Sequence, residues 1–170
     1  MPTHTSATPL KMDDTISRAK AEYLRAKARL LIALDTTPDE KLTWSPSESA
    51  RTPVQLVAHA AFAVPLVQSV ICGAPWPYAS LTEADAAFRA ADKAFQNREQ
   101  VKVYLEETSD NFIAWMDSLS PEQVGSTVQT IFGSFPMGAA ISLAAEHMRG
   151  HIAQIEYIQT IWGDYDWHVS

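Results

Sequence analysis

From Ile141 to Trp162 the chain runs through 22 residues with no proline and a single glycine, Gly150. Ala140, Ala144, Met148, Ile152, Ile155 and Ile158 recur along it at helical spacing. A run of this kind is a long helix with one apolar face, and that face needs other elements to cover it. His147 and His151 lie on or beside the stripe. Residues four apart on a helix are rotated by only about 40° and rise by about 6 Å, so both imidazoles can point at one spot.

Three further stretches have the same character. The first spans about residues 13–34, with Asp13, Asp14 or Thr15 as cap and Ile16, Ala19, Tyr23, Leu30, Leu31 and Leu34 inward. The second spans 53–72, with Thr52 as cap and Pro53 in its first turn. Pro65 inside it predicts a kink, because proline cannot donate to the carbonyl of Ala61. The third spans 97–118, opened by Asn97 with Gln100 placed to complete a capping box. The fourth covers 136–162, and Gly163 is positioned to end it. Short turns are expected at 38–42 and 121–124, a weaker helix at 82–95, and an extended loop at 126–132.

Four long amphipathic helices without a convincing strand pair imply an all-α four-helix bundle. The 24 residues between Cys72 and Asn97 are too many for a tight turn, so a long crossover should make helices two and three parallel. The domain reading is a disordered lead-in at 1–12, one bundle domain at 13–163 and a tail at 164–170.

Composition narrows the function. A net charge of −7 and no Lys/Arg cluster argue against nucleic acid as a partner. No segment reads as long and apolar enough to span a bilayer, and MPTHTSATPLKMDD lacks the apolar core of a secretory signal. The lone Cys72 rules out an intramolecular disulfide and fits a reducing compartment, so the expected location is cytoplasmic. Cys72 itself is expected to end helix two as a small buried hydrophobe. Trp162, Tyr165 and Trp167 near the C-terminus are expected to be exposed apolar residues, compatible with a homodimer.

His59, in the second helix, shares the inward side with Leu56, Phe62 and Ala63. A hydrogen-bonded core histidine accounts for any one such residue. Three of them on two core-facing stripes are better explained by a shared divalent metal ion. Three protein ligands leave a tetrahedral ion one open position, as in catalytic zinc sites, although imidazoles suit zinc, nickel, copper and iron alike. The second ring nitrogens need acceptors, for which Gln55, Gln154 and backbone carbonyls are candidates. Trp44, Phe62, Phe132 and Phe135 are expected to line a pocket. Met148, on the stripe beside His147, is a further candidate. Tyr23 either joins them or packs in the core with its hydroxyl at the bundle edge.

Leu42-Thr43-Trp44-Ser45-Pro46, Val57-Ala58-His59 and His147-Met148-Arg149-Gly150-His151-Ile152 together resemble the DinB/YfiT-like metalloenzyme superfamily, over about residues 13–163. The resemblance implies a bundle in which His59, His147 and His151 hold a divalent metal, most often zinc or nickel. It also implies small-molecule chemistry, because relatives include transferases and isomerases that use thiols such as bacillithiol or mycothiol. The added C-terminal domain of mycothiol-dependent maleylpyruvate isomerases has no counterpart in this sequence, and residues 73–96 match no family motif.

Three readings follow. The first is an enzyme, a metal-dependent thiol S-transferase that activates a low-molecular-weight thiol for transfer to a small electrophile. The second is a non-catalytic small-molecule-binding or stress-associated bundle that keeps the metal site. The third, a metal hydrolase, wants a carboxylate base; Glu146 points about 100° away from His147, and no other acid sits on these stripes.

Overall fold

The computed structural model describes residues 12–131 and 133–168. The lead-in expected at 1–12 lies outside the described residues except for Met12, and Phe132 lies outside them too. The long helices are α1 (Met12–Asp35), α2 (Pro53–Ile71), α4 (Arg98–Asp117) and α6 (Met137–Ile161), joined by α3 (Leu81–Asp92) and the single turn α5 (Pro121–Val124). A 3-10 turn at Asp39–Lys41 follows α1.

Local chemistry sets the helix starts. The Thr52 hydroxyl accepts from Gln55 N while Gln55 Oε1 accepts from Thr52 N, a full capping box opening α2. Ser80 caps α3 and Asn97 caps α4. Gln100 departs from expectation, because its side chain accepts from Gln96 N rather than from the cap residue. Gly163, at φ +93°, ends α6 in the left-handed region that glycine adopts without steric cost.

Cross-helix bonds give the directions. Arg98, at the start of α4, donates to Asp39 Oδ1 (2.6 Å) and to the Thr37 carbonyl (2.5 Å), beyond the end of α1. Lys20, near the start of α1, pairs with Asp117 at the end of α4 at 2.6 Å. Those two helices are therefore antiparallel. Helix α6 runs parallel to α1, with Gly138 beside Thr15 and Gln159 Nε2 donating to Ala33 O at 3.1 Å. Val54 N donates to Leu42 O (3.1 Å), which holds the start of α2 at the end where α1 finishes. Helices α2 and α4 thus run parallel, and residues 72–97, with α3 inside them, form the crossover expected from the sequence. Around the bundle the order is α1, α4, α2, α6.

The core lies between these four faces. Tyr23, Leu30, Leu34, Val57, Leu105, Phe112, Met148 and Ile155 are all fully buried. Each large apolar side chain withdrawn from water contributes about 1.5–3 kcal/mol, which makes this interior the main source of stability.

Four expectations need correction. The extended loop expected at 126–132 instead supplies β1 (Thr127–Thr130), which pairs antiparallel with β2 (Gly133–Pro136), Val128 opposite Phe135. Val128 is buried against the end of the bundle, so tertiary packing supplies what the weak local pattern lacks. Cys72 does cap the end of α2, but it is exposed, because the chain leaves the bundle there through Gly73 (φ +85°). Trp162 is half-buried rather than exposed and packs edge-on against Trp44, ring centroids 5.7 Å apart. Finally, α2 does have the length and composition of a membrane-crossing helix; half of that apolar stretch is buried within the bundle.

Candidate metal centre

Two helices deliver the three histidines. The capping box fixes the start of α2, and His59 follows two turns later on its inward face, 8% exposed. His147 and His151 come from adjacent turns of α6, which is antiparallel to α2. One nitrogen from each ring lies within 4.8 Å of the others. The ring centroids are 4.9 Å apart for His59–His151, 5.2 Å for His59–His147 and 4.5 Å for His147–His151. The His147 and His151 Nε2 atoms, 3.1 Å apart, are already near the ~3.4 Å that separates ligand nitrogens at tetrahedral zinc.

The outer ring nitrogens show how each ring is oriented. His151 Nδ1 lies 2.8 Å from Gln154 Oε1, the acceptor expected from the sequence, and His151 Nε2 faces His147 Nε2 at 3.1 Å. With His151 Nδ1 as donor to Gln154, the Nε2 lone pair points into the cluster. Gln55, by contrast, is taken up by its capping box. His59 Nδ1 instead faces Asp92 Oδ2 at 3.6 Å, just beyond hydrogen-bond length. Asp92 is 2% exposed, accepts from Arg51 Nε at 2.7 Å, and keeps its Oδ1 buried without a partner. Asp92 belongs to the crossover helix, where only its place four residues after Phe88 and eight after Ala84, an acid on an apolar stripe, hints at an inward role.

Burial sets the charge state. Loss of hydration, reinforced by the Arg51 guanidinium and the neighbouring imidazoles, pushes His59 down to about 3. His147 falls to about 4, through burial first and then His151. His151 is lowered by burial, with Gln154 opposing the shift. All three rings are therefore neutral at physiological pH, the form that binds metals. His59 Nδ1 and His147 Nδ1 are buried without hydrogen-bond partners. Three neutral imidazoles converging in an apolar setting suit a divalent ion, which would give their inner lone pairs a partner.

The cluster closes one end of a cavity of about 540 Å³ between α2, α3 and α6. His59 and His147 reach it, and Phe62, Leu66, Phe88 and Leu143 wall it. Of the pocket residues expected from the sequence, Phe62 alone among the described residues lies there. Trp44 is drawn away to Trp162, with Lys41 Nζ 5.7 Å from its ring centre. Tyr23 is a core residue whose hydroxyl donates to Ser109 Oγ at 2.9 Å. Met148 is fully buried in the bundle interior, and Phe135 packs on the core from the hairpin. The crossover supplies the other wall, because the stripe of Ala84, Phe88 and Asp92 on α3 turns toward α2, a docking that its sequence does not specify.

A four-helix bundle with a parallel central pair and a three-imidazole cluster facing an apolar cavity defines a class of candidate metalloproteins. The chain belongs to the DinB superfamily, whose family model matches residues 22–155. Among curated proteins there is no significant sequence match. Several solved structures share the fold, three of them as follows. The Sibling Lethal Factor Precursor DfsB has a TM-score of 0.70 at 16% identity, covering 88% of this chain and 97% of its own. YfiT from Bacillus subtilis, described as a probable metal-dependent hydrolase with an unusual four-helix bundle topology, has a TM-score of 0.66 at 18% identity over 96% and 94%. The mycothiol-dependent maleylpyruvate isomerase has a TM-score of 0.64 at 14% identity, and the match spans 82% of this chain but only 60% of that one.

Proposed function

We propose that this protein is a divalent-metal-dependent enzyme that activates a low-molecular-weight thiol for transfer to a small electrophile. The observation that carries the reading is the convergence of His59, His147 and His151 at the end of an apolar cavity. These residues would hold zinc or nickel, and the ion supplies Lewis acidity that lowers the pKa of a thiol at its open side.

The choice of a thiol over water follows from the carboxylates. Two acids, Asp85 and Glu146, line the cavity. Asp85 is bonded to Arg89 at 2.7 Å and to Arg51 at 3.3 Å, and the Arg89 hydrogen bond lowers its pKa. Glu146 is paired with Arg149. Asp92, whose pKa burial raises, stands behind His59 and is not part of the cavity wall. A metal-bound water, its pKa lowered to about 7–9, still wants a carboxylate to take up its protons during attack, a role these committed acids fill poorly. A thiol, near 8.5 before it meets the ion, would bind as thiolate and need no base. This difference favours the thiol reading over the hydrolase one.

The test uses protein purified without added metal. Elemental analysis should find about one divalent ion per chain. With a small thiol and 1-chloro-2,4-dinitrobenzene, the sulfur bonds to the ring carbon, chloride leaves with the bonding pair, and the thiol proton goes to solvent. Chelator should abolish the acceleration. A chain that binds metal but leaves this rate and those of related electrophiles unchanged is a binding module instead.

A further inference from the structure

We infer that the cavity beside the triad takes an uncharged molecule with a flat aromatic or branched apolar body, and discriminates against carboxylates and other anions. The inference rests on reading that cavity as the substrate site.

Shape and lining come first. A volume of about 540 Å³ suits a one- or two-ring molecule. One wall, from α2, presents Phe62, Leu66 and Val70; the facing wall, from the crossover, presents Trp76, Ala84 and Phe88. The Phe88 ring is the hinge of an aromatic set. It lies 5.6 Å from Phe62, 5.3 Å from Tyr78 and 5.4 Å from His59, centroid to centroid, all in tilted or edge-on arrangements. Aromatic rings in such arrangements offer edges and faces to a flat guest, with centroid separations of about 4.5–7 Å.

Charge decides the class. Among the described residues, the formally charged ones lining the cavity are Asp85 and Glu146, and no lysine or arginine lines it. The nearby cations are committed elsewhere: Arg51 to Asp92 and Asp85, Arg89 to Asp85, and Arg149 to Glu146. An anionic group in the body of the cavity would therefore lose its hydration without gaining a cationic side chain and would face two acids. An ion held by the triad would act only at the end that His59 and His147 close, and the two acids would offset its charge elsewhere. A neutral guest avoids both costs.

A matched pair of fluorescent probes tests this. N-phenyl-1-naphthylamine is neutral, and 8-anilino-1-naphthalenesulfonate is the same ring system with a sulfonate. Binding is titrated with zinc-loaded protein and again after chelation. The neutral probe should saturate near one equivalent and bind more tightly than the sulfonate by on the order of tenfold in both forms. Leu143→Trp, which fills the cavity, and Phe88→Ala, which removes its aromatic wall, should each weaken the neutral probe, with helicity checked by circular dichroism. Glu146→Gln should raise the sulfonate's affinity more than the neutral probe's. Sulfonate binding equal to or tighter than neutral binding in either form overturns the inference, as does neutral binding indifferent to both cavity variants. Neutral binding in this cavity by a chain that takes up no zinc supports the inference while refuting the metal reading.

Discussion

At the scale of single residues, the centre depends on histidines that burial keeps neutral. His151→Ala removes one of the two ligands supplied by α6, and we expect bound metal to fall to background in elemental analysis. The far-ultraviolet circular dichroism should stay helical, because one imidazole is a small part of the buried surface. An unfolded variant would make the metal structural and sink the open-site reading. Asp92→Asn tests the group behind His59. Residues that orient a ligating histidine typically contribute about 10–100-fold in metal affinity, and competition with a calibrated chelator should find a loss in that range. Unchanged affinity would reduce Asp92 to a tether for Arg51. The two kinds of residue differ in how far sequence exposes them. His147 and His151 are visible through their four-residue spacing, and His59 through its place on an apolar stripe. Asp92 is not, since it meets His59 only because the crossover folds back over α2.

At the scale of elements, caps are legible because they act within four residues. Thr52 and Asn97 both cap the starts of their helices locally. The hairpin was not legible, because its two four-residue strands are held by the bundle end on which Val128 packs. The orientation of α3 was hidden for the same kind of reason. Thr52→Ala should cost about 1 kcal/mol in urea unfolding, because an N-cap hydroxyl satisfies an amide otherwise left without a partner. It should leave metal stoichiometry intact, since His59 lies two turns beyond the cap. Loss of metal together with stability would show that the start of α2 positions the ligand as well as the helix.

At the scale of the whole molecule, Tyr23 links global stability to pH. Burial raises its pKa from an ordinary 10.0 to about 12, with the Ser109 hydrogen bond opposing. The folded state therefore holds this proton more tightly than the unfolded chain. The contribution is fully present below pH 10 and is lost as pH rises through about 12. For two pKa units the limit is roughly 2–3 kcal/mol. Denaturant unfolding between pH 9 and 12 should show that decline, and Tyr23→Phe should flatten it; an equal slope in the variant would assign the decline to other groups. The bundle's connectivity has a kinetic consequence as well. The most extensive interface joins α1 to α6, elements at opposite ends of the described chain, whereas α1 and α2, its first two long helices, stand diagonally apart. No early hairpin of neighbouring long helices can bury its apolar faces, so nucleation must draw in distant segments and bear their loop-closure entropy. Refolding should be slower than in an up-and-down bundle of equal length, and the metal centre can assemble only when α6 docks.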